Sequence, residues 1–145
     1  MQLVQGIPNL LPVVDGVYSN LWRGGQPTSQ ASWNYLKSIG IKTIIKLNTE
    51  TGDPDIDPDF VVWHFPINTV QQIIGPVTST LARAQANISS NTYFHCELGE
   101  NRTGTLGIFY RVLTCGWPKA EAIKEAKLTN WAYSLPALQL AVAEL

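Results

Sequence analysis

The stretch that decides the reading is Thr92-Tyr93-Phe94-His95-Cys96-Glu97-Leu98-Gly99-Glu100-Asn101-Arg102-Thr103-Gly104. Thr92 to His95 is rich in β-formers and follows the turn-forming Asn87 to Asn91, so a short strand is expected there. From Thr103 to Thr114, the spacing of Leu106, Phe109, Tyr110 and Leu113 predicts a helix that buries a broad face. A thiol therefore stands at a strand end, five residues separate it from an arginine, and a hydroxyl and a helix follow. A loop of this length, tightened by Gly99, can curl until successive backbone N–H groups converge on one centre, an anion-binding nest. The helix starting near Arg102 adds its unpaired N–H groups and positive dipole end to that centre.

A phosphate dianion fits such a centre, and the same field favours thiolate over thiol, which makes Cys96 a nucleophile ionised near neutrality. Arg102 offers a rigid fork of donors matched to two phosphate oxygens, and its contacts can tighten as phosphorus becomes trigonal-bipyramidal. Thr103 can donate its hydroxyl to the sulfur and ease its departure when water cleaves a phosphocysteine. His95 is expected to bond to loop backbone and hold the curl. Glu97, Leu98, Gly99, Glu100 and Asn101 line the anion site together with Arg102. Taken singly, Cys96 is a buried strand-end cysteine and Arg102 a helix-terminal surface charge. It is their joint order, with a strand before, a glycine within and a helix after, that points to chemistry.

Outward from this segment, Val17 to Trp22 reads as a strand closed by Gly24-Gly25-Gln26-Pro27. Thr28-Ser29 then caps a helix carrying Trp33, Leu36 and Ile39, ended by Gly40. Ile41 to Leu47 is a strand, Asn48 to Asp59 a Pro- and Asp-rich loop, and Val61 to Ile67 a second, central strand with Pro66 near its end. Val77 to Ile88 has helical spacing, Pro118 opens a helix in the favoured first-turn position, and Leu135 to Leu145 supplies a last helix around Pro136. The order β-α-β-β-α-β-α-α-α implies an α/β fold, a three-layer domain with a central, mostly parallel sheet flanked by helices. Ligands in such sheets sit at the carboxyl ends of strands, which is where Cys96 falls.

The 145 residues fit one domain, 1–145, with 45% hydrophobic and only 14% charged residues and a net charge of −1. Ten basic and eleven acidic side chains scattered singly make no field for a polyanion, so no nucleic-acid partner is expected. No run reaches the length of a membrane span, so no membrane partner is expected either. The two cysteines, Cys96 and Cys115, are separated by a helix rise of roughly 18 Å and should both be free, as in a reducing compartment. The start has no basic segment and its apolar residues are interrupted by Pro8 and Pro12, so the expected location is the cytoplasm. A signal peptide cleaved ahead of residue 1 is compatible with the same start.

His-Cys-x5-Arg-Thr-Gly at 95–104 resembles the signature of the cysteine-dependent protein tyrosine and dual-specificity phosphatases. Leu21-Trp-Arg-Gly-Gly-Gln-Pro27, a helix, and Gly40-Ile-Lys-Thr-Ile-Ile-Lys-Leu-Asn48 are similar to the amino-terminal half of the small bacterial, plant and fungal members. The resemblance runs from about residue 17 to 130. It implies the protein tyrosine phosphatase fold and a phosphocysteine mechanism without metal or cofactor, with Cys96 as nucleophile and Arg102 as phosphate binder. Arg23 and Gln26 would then be structural. Expected ligands are a phosphorylated protein or a small phosphomonoester, with phosphate, sulfate or vanadate in the loop.

One element of the family pattern is missing. The family supplies an aspartate general acid about thirty residues before the cysteine, but here the stretch is Phe65-Pro66-Ile67-Asn68-Thr69-Val70-Gln71-Gln72. General acid catalysis is typically worth 10²- to 10⁴-fold, most for a basic leaving alkoxide, so its absence favours phosphotyrosine and other aryl phosphates, whose phenolate has a pKa near 10. Asp53 and Asp55, in the loop after the Ile41–Leu47 strand, are the candidates to replace it, ahead of Glu100, although the plainer reading of these aspartates is a solvated turn. Gln71 and Gln72 either orient water or cap the next segment. The D-x-D-x-D spacing there is a poor calcium loop, broken by Pro54 and Pro58. Glu97 and Glu100 would repel extra phosphates, so highly phosphorylated inositols should be poor substrates. The five tryptophans read as packing, His64 as a hydrogen-bonded interior or edge residue, and Cys115 as a small apolar filler. A phosphatase is the first reading. The alternatives are a phosphate-binding pseudophosphatase module with little turnover and a sulfur-transfer domain, the latter disfavoured by Arg-Thr-Gly.

Overall fold

The computed structural model describes residues 3–49, 57–67, 74–132 and 136–145. Strands β1 (Leu3–Val4) and β2 (Ile7–Pro8) pair as an antiparallel hairpin. Gln5 and Gly6 turn it, both at positive φ (53° and 75°), as a two-residue type I′ turn requires. β3 (Leu11–Pro12) runs antiparallel to β4 (Leu21–Gly24). The chain continues through α1 (Gln30–Ser38), β5 (Thr43–Lys46), β6 (Val61–His64), α2 (Ile74–Ala86), β7 (Thr92–His95), α3 (Asn101–Leu113), α4 (Lys119–Lys127) and α5 (Pro136–Ala143). The main sheet has the order β3-β4-β7-β5-β6, and β4, β7, β5 and β6 are parallel. This is the mostly parallel α/β architecture expected.

Side-chain alternation along the strands separates the layers. On one face Ile44 of β5 and Tyr93 of β7 pack with Ile7, Leu10, Trp33, Leu36 and Phe60, under α1 and the amino-terminal hairpin. On the other face Ile45 and Phe94 pack with Leu81, Leu106, Phe109 and Leu138 from α2, α3 and α5. Helix α3 lies deepest, with every residue from Arg102 to Arg111 buried. Leu113, expected on its buried face, is instead 52% exposed at the last turn.

The helix ends follow from local chemistry. Ser29 caps α1, its side chain accepting from the Ser32 N–H at 3.2 Å. At the other end the Ile41 N–H reaches Leu36 O (3.1 Å) and the Gly40 N–H reaches Lys37 O (3.0 Å), a Schellman closure. Pro118 precedes α4 and Pro136 begins α5, positions where proline's missing N–H costs nothing.

Three expectations need correction. The strand expected at Val17–Trp22 is displaced to Leu21–Gly24, because Asn20 takes a left-handed φ of 52° and breaks the extended chain just before it. Val61–Ile67 is not a central strand: β6 ends at His64 and lies at the sheet edge, with Val61 55%, Val62 41% and Trp63 48% exposed. Trp63 is therefore not core packing, whereas Trp33 and Trp131 are buried. The strands β1, β2 and β3 carry no strand signal in the sequence pattern; Pro8 and Pro12 are tolerated in them because they lie at strand ends and sheet edges. Among the described residues no helix is long and apolar enough to cross a membrane.

Candidate active site

The parallel register aligns Gly24, His95, Lys46 and His64 across the carboxyl edge of the sheet. The loop from Cys96 to Glu100 leaves from the middle of that row and enters α3. Its curl is held by four successive carbonyl groups, each bonded to a donor outside the loop. The Cys96 carbonyl accepts from His95 Nδ1–H at 3.2 Å, and the Glu97 carbonyl from the Gln26 N–H at 2.9 Å. The Leu98 carbonyl accepts from Asn9 Nδ2 at 2.8 Å, and the Gly99 carbonyl from Arg23 Nη2 at 3.3 Å. In a trans peptide the C=O and the following N–H point in opposite directions. Tying back the carbonyls of 96 to 99 therefore turns the N–H groups of Glu97, Leu98, Gly99 and Glu100 the other way, toward the concave side of the loop. Converging backbone amides of this kind are what an anion-binding nest is built from.

Gly99 lies at φ +74°, and a Cβ there would sit 2.5 Å from Gly24 C and 2.7 Å from Gly25 N. The loop and the Gly24-Gly25 turn are in backbone-to-backbone contact, which is why the pair of glycines after Arg23 matters here. Tyr93 reinforces the turn: its hydroxyl donates to Gly25 O at 2.5 Å. Burial pushes the Tyr93 phenol well above its usual range and keeps it a donor.

Cys96 lies on the floor of the loop and is 3% exposed. Its Sγ accepts from Thr103 Oγ1 at 3.0 Å. The same hydroxyl is 3.3 Å from Gly24 O, and its single proton goes to whichever acceptor is more negative. Arg102, in the first turn of α3, is buried, and its Nη1 donates to Ile67 O at 3.3 Å, which links the loop to the segment after β6. Glu97 and Leu98 turn their side chains to solvent. The Glu100 carboxylate accepts from Asn130 Nδ2 (2.9 Å), and Asn101 Oδ1 accepts from the Ala132 N–H (3.2 Å), which anchors the start of α3. The loop's side chains thus face outward or brace it, leaving the backbone amides on its concave side.

Arg23 lies beneath the loop. It is 3% exposed and also donates to Thr129 Oγ1 at 2.6 Å. Burial lowers its pKa to about 10, against the attraction of Cys96 and Glu125. Asp53, Asp55, Gln71 and Gln72 lie outside the described residues. Asp57 and Asp59 in the same acidic stretch are engaged elsewhere, with Lys37 Nζ at 3.0 and 2.8 Å. His64, at the edge as one of its two expected placements, donates from Nε2 to Asn48 O at 2.8 Å. Cys96 and Cys115 are both free. Among the described residues no three His, Cys, Asp or Glu side chains are grouped to hold a metal ion.

Asn9 carries no local signal beyond the Pro-Asn pair of a turn. Arg23 is marked in the sequence by family resemblance and by its place as a lone arginine in an apolar strand ahead of two glycines. Buried Thr129, which holds Arg23, carries no local signal at all.

No family model and no curated protein matches this sequence. Solved structures do match its fold. TpbA from P. aeruginosa superposes with a TM-score of 0.65 at 23% identity, covering 87% of this chain and 80% of that one; TpbA has also been solved in complex with pTyr. The core catalytic domain of the PP-IP phosphatase SIW14 from S. cerevisiae, in complex with citrate, superposes with a TM-score of 0.64 at 16% identity over 93% of this chain and 87% of that one. Human DUSP28 gives a TM-score of 0.62 at 16% identity over 94% and 93%. The fold is that of the small cysteine-dependent tyrosine and dual-specificity phosphatases.

Proposed function

We propose that this chain is a single catalytic domain that hydrolyses phosphomonoesters through a phosphocysteine. One observation carries the reading: a sulfur bonded by Thr103 at 3.0 Å lies on the floor of a loop whose successive carbonyls are all tied outward. A phosphoryl group seated there meets four N–H groups, the α3 terminus and Arg102. Such preorganised donors act most strongly where charge develops in the transition state.

The Cys96 thiolate attacks phosphorus: the S–P bond forms, the P–O bond to the leaving group breaks, and that oxygen takes a proton from an acid or from water. Water then attacks phosphorus, the S–P bond breaks, inorganic phosphate leaves, and the sulfur recovers its electron pair. Thr103 supports the second step by holding its proton toward the departing sulfur. The groups required belong to the chain itself. Asp53 or Asp55 is the proposed leaving-group acid; Glu100 is a weaker candidate because Asn130 already engages its carboxylate. With no aspartate in the usual segment, the substrate class is phosphotyrosine in proteins or another aryl phosphate, and the proposed site of action is the cytoplasm.

The test is turnover of p-nitrophenyl phosphate, phosphotyrosine peptide and phosphoserine peptide by the wild type, Cys96→Ser and Arg102→Lys, with vanadate as competitor. The reading expects vanadate-inhibited turnover in the wild type only, and phosphotyrosine well ahead of phosphoserine. Tight vanadate binding with no turnover would replace it with a phosphate-binding module. Equal rates on the two peptides would remove the aryl preference.

A further inference from the structure

Of the four carbonyls that set the loop, the one on Leu98 is held by a side chain 89 positions away in sequence. Asn9 follows the β1–β2 hairpin, is 8% exposed, and takes a left-handed φ of 53°. Asparagine tolerates that conformation better than most residues, and its short amide can then reach outward. Leu98 has a 42% exposed side chain, but its backbone carbonyl faces the protein, with its carbon 3.0 Å from where a Cβ on Gly25 would sit.

A peptide plane between residues i and i+1 turns over when ψ of i and φ of i+1 both change by about half a turn. For most residues at i+1 one of the two states is sterically excluded. Gly99 is the exception, because glycine populates φ values of either sign about as readily. The Leu98–Gly99 peptide therefore has two allowed orientations. One aims the Gly99 N–H at the anion; the other aims the Leu98 carbonyl oxygen at it, replacing attraction with repulsion.

We propose that Asn9 is a positioning residue that selects the anion-binding orientation of the Leu98–Gly99 peptide. This rests on the reading of the loop as an oxyanion site and deepens it. Asn9 touches neither substrate nor sulfur; it acts through one carbonyl. It also makes the amino-terminal hairpin, which lies outside the catalytic signature, part of the apparatus that sets affinity for phosphate.

The test compares Asn9→Ala and Asn9→Asp with Asn20→Ala. Asp at position 9 keeps the size and the left-handed tolerance of Asn but presents a carboxylate where a donor is needed. Asn20 is a matched control: its φ is 52°, and its Nδ2 donates to a backbone carbonyl, Ile39 O, at 2.8 Å, remote from the loop. Vanadate affinity and the separate kcat and KM for p-nitrophenyl phosphate are measured alongside residual dipolar couplings of the Gly99 N–H. Loss of one aimed N–H to a dianion should weaken vanadate by about 10- to 100-fold. Both Asn9 variants should show that loss with a reoriented or doubled Gly99 N–H, whereas Asn20→Ala should change thermal stability only. Wild-type vanadate affinity and an unchanged Gly99 orientation in both Asn9 variants would overturn the proposal, as would an equal affinity loss in Asn20→Ala. If the wild type binds no oxyanion yet Gly99 still reorients in the Asn9 variants, the functional reading fails and the orienting role stands.

Discussion

Gly99→Ala provides a quantitative test of how the loop is built, because the molecule contains its own control. Gly99 and Gly116 have nearly the same backbone conformation, φ +74° and +73°. A Cβ on Gly116 meets nothing within 4 Å, whereas one on Gly99 meets the Gly24 and Gly25 backbone at 2.5 to 2.9 Å. Gly116→Ala therefore carries only the left-handed penalty of an L-residue, about 1–2 kcal/mol. Gly99→Ala adds an overpacking cost of about 1–3 kcal/mol, since the gap to Gly24 must open toward ordinary contact and neither side is a flexible side chain. At roughly 3 °C per kcal/mol for a domain of this size, Gly116→Ala should lower Tm by about 3–6 °C and Gly99→Ala by about 6–15 °C. The movement also pulls the Gly99 carbonyl off Arg23 and the Leu98 carbonyl off Asn9. Two misaimed amides should reduce phosphate affinity by more than about 100-fold, with no loss in Gly116→Ala. Differential scanning calorimetry and vanadate titration of both variants read these effects. Equal Tm shifts, or intact vanadate binding in Gly99→Ala, would refute the backbone-to-backbone packing of loop and turn.

Three further outcomes follow from named contacts. Thr103→Val removes the donor 3.0 Å from the sulfur and should slow breakdown of the intermediate by about 10- to 100-fold, seen as a burst of p-nitrophenol before a slower steady state; an unchanged steady state without a burst would contradict it. Asp57 has its pKa lowered, first by the Asp59 N–H and then by Gln30 and Lys37, so its contribution to stability is full above the unfolded value near 3.8 and disappears as pH falls through the lower folded value. Asp57→Ala should thus be less stable than wild type in urea at pH 7, with the gap closing in strong acid; a gap that widens below pH 4 would reverse the assignment. Glu97→Lys should raise turnover of polyphosphorylated inositols relative to p-nitrophenyl phosphate and make that gain salt-sensitive, whereas efficient wild-type hydrolysis of such compounds would remove the electrostatic argument.

What was legible in the sequence was local. The strand, loop and helix from Thr92 to Leu113 are contiguous, so the relation of Cys96 to Thr103 follows from spacing alone. Ser29 and Gly40 bracket α1 by cap chemistry that depends only on neighbours. What escaped depends on distant partners. The apolar run Val61-Val62-Trp63 reads the same for a central and an edge strand, and only the crossover order, with β7 between β4 and β5, puts β6 outside. Val17 and Tyr18 have β-forming side chains, but the Val17 N–H bonds to the Tyr110 hydroxyl (3.1 Å) and Asn20 turns the chain, so tertiary contacts override propensity. Asn9 was invisible for the same reason: its consequence is felt 89 positions later.

The central claim is that the Cys96 sulfur carries the phosphoryl group, and intact-protein and peptide mass spectrometry after acid quench of a p-nitrophenyl phosphate reaction tests it most directly. The account predicts a phosphoryl adduct on the peptide containing Cys96, enriched in Thr103→Val and absent in Cys96→Ser, which should also be without turnover. Phosphate found on another residue, or turnover persisting in Cys96→Ser, would contradict it.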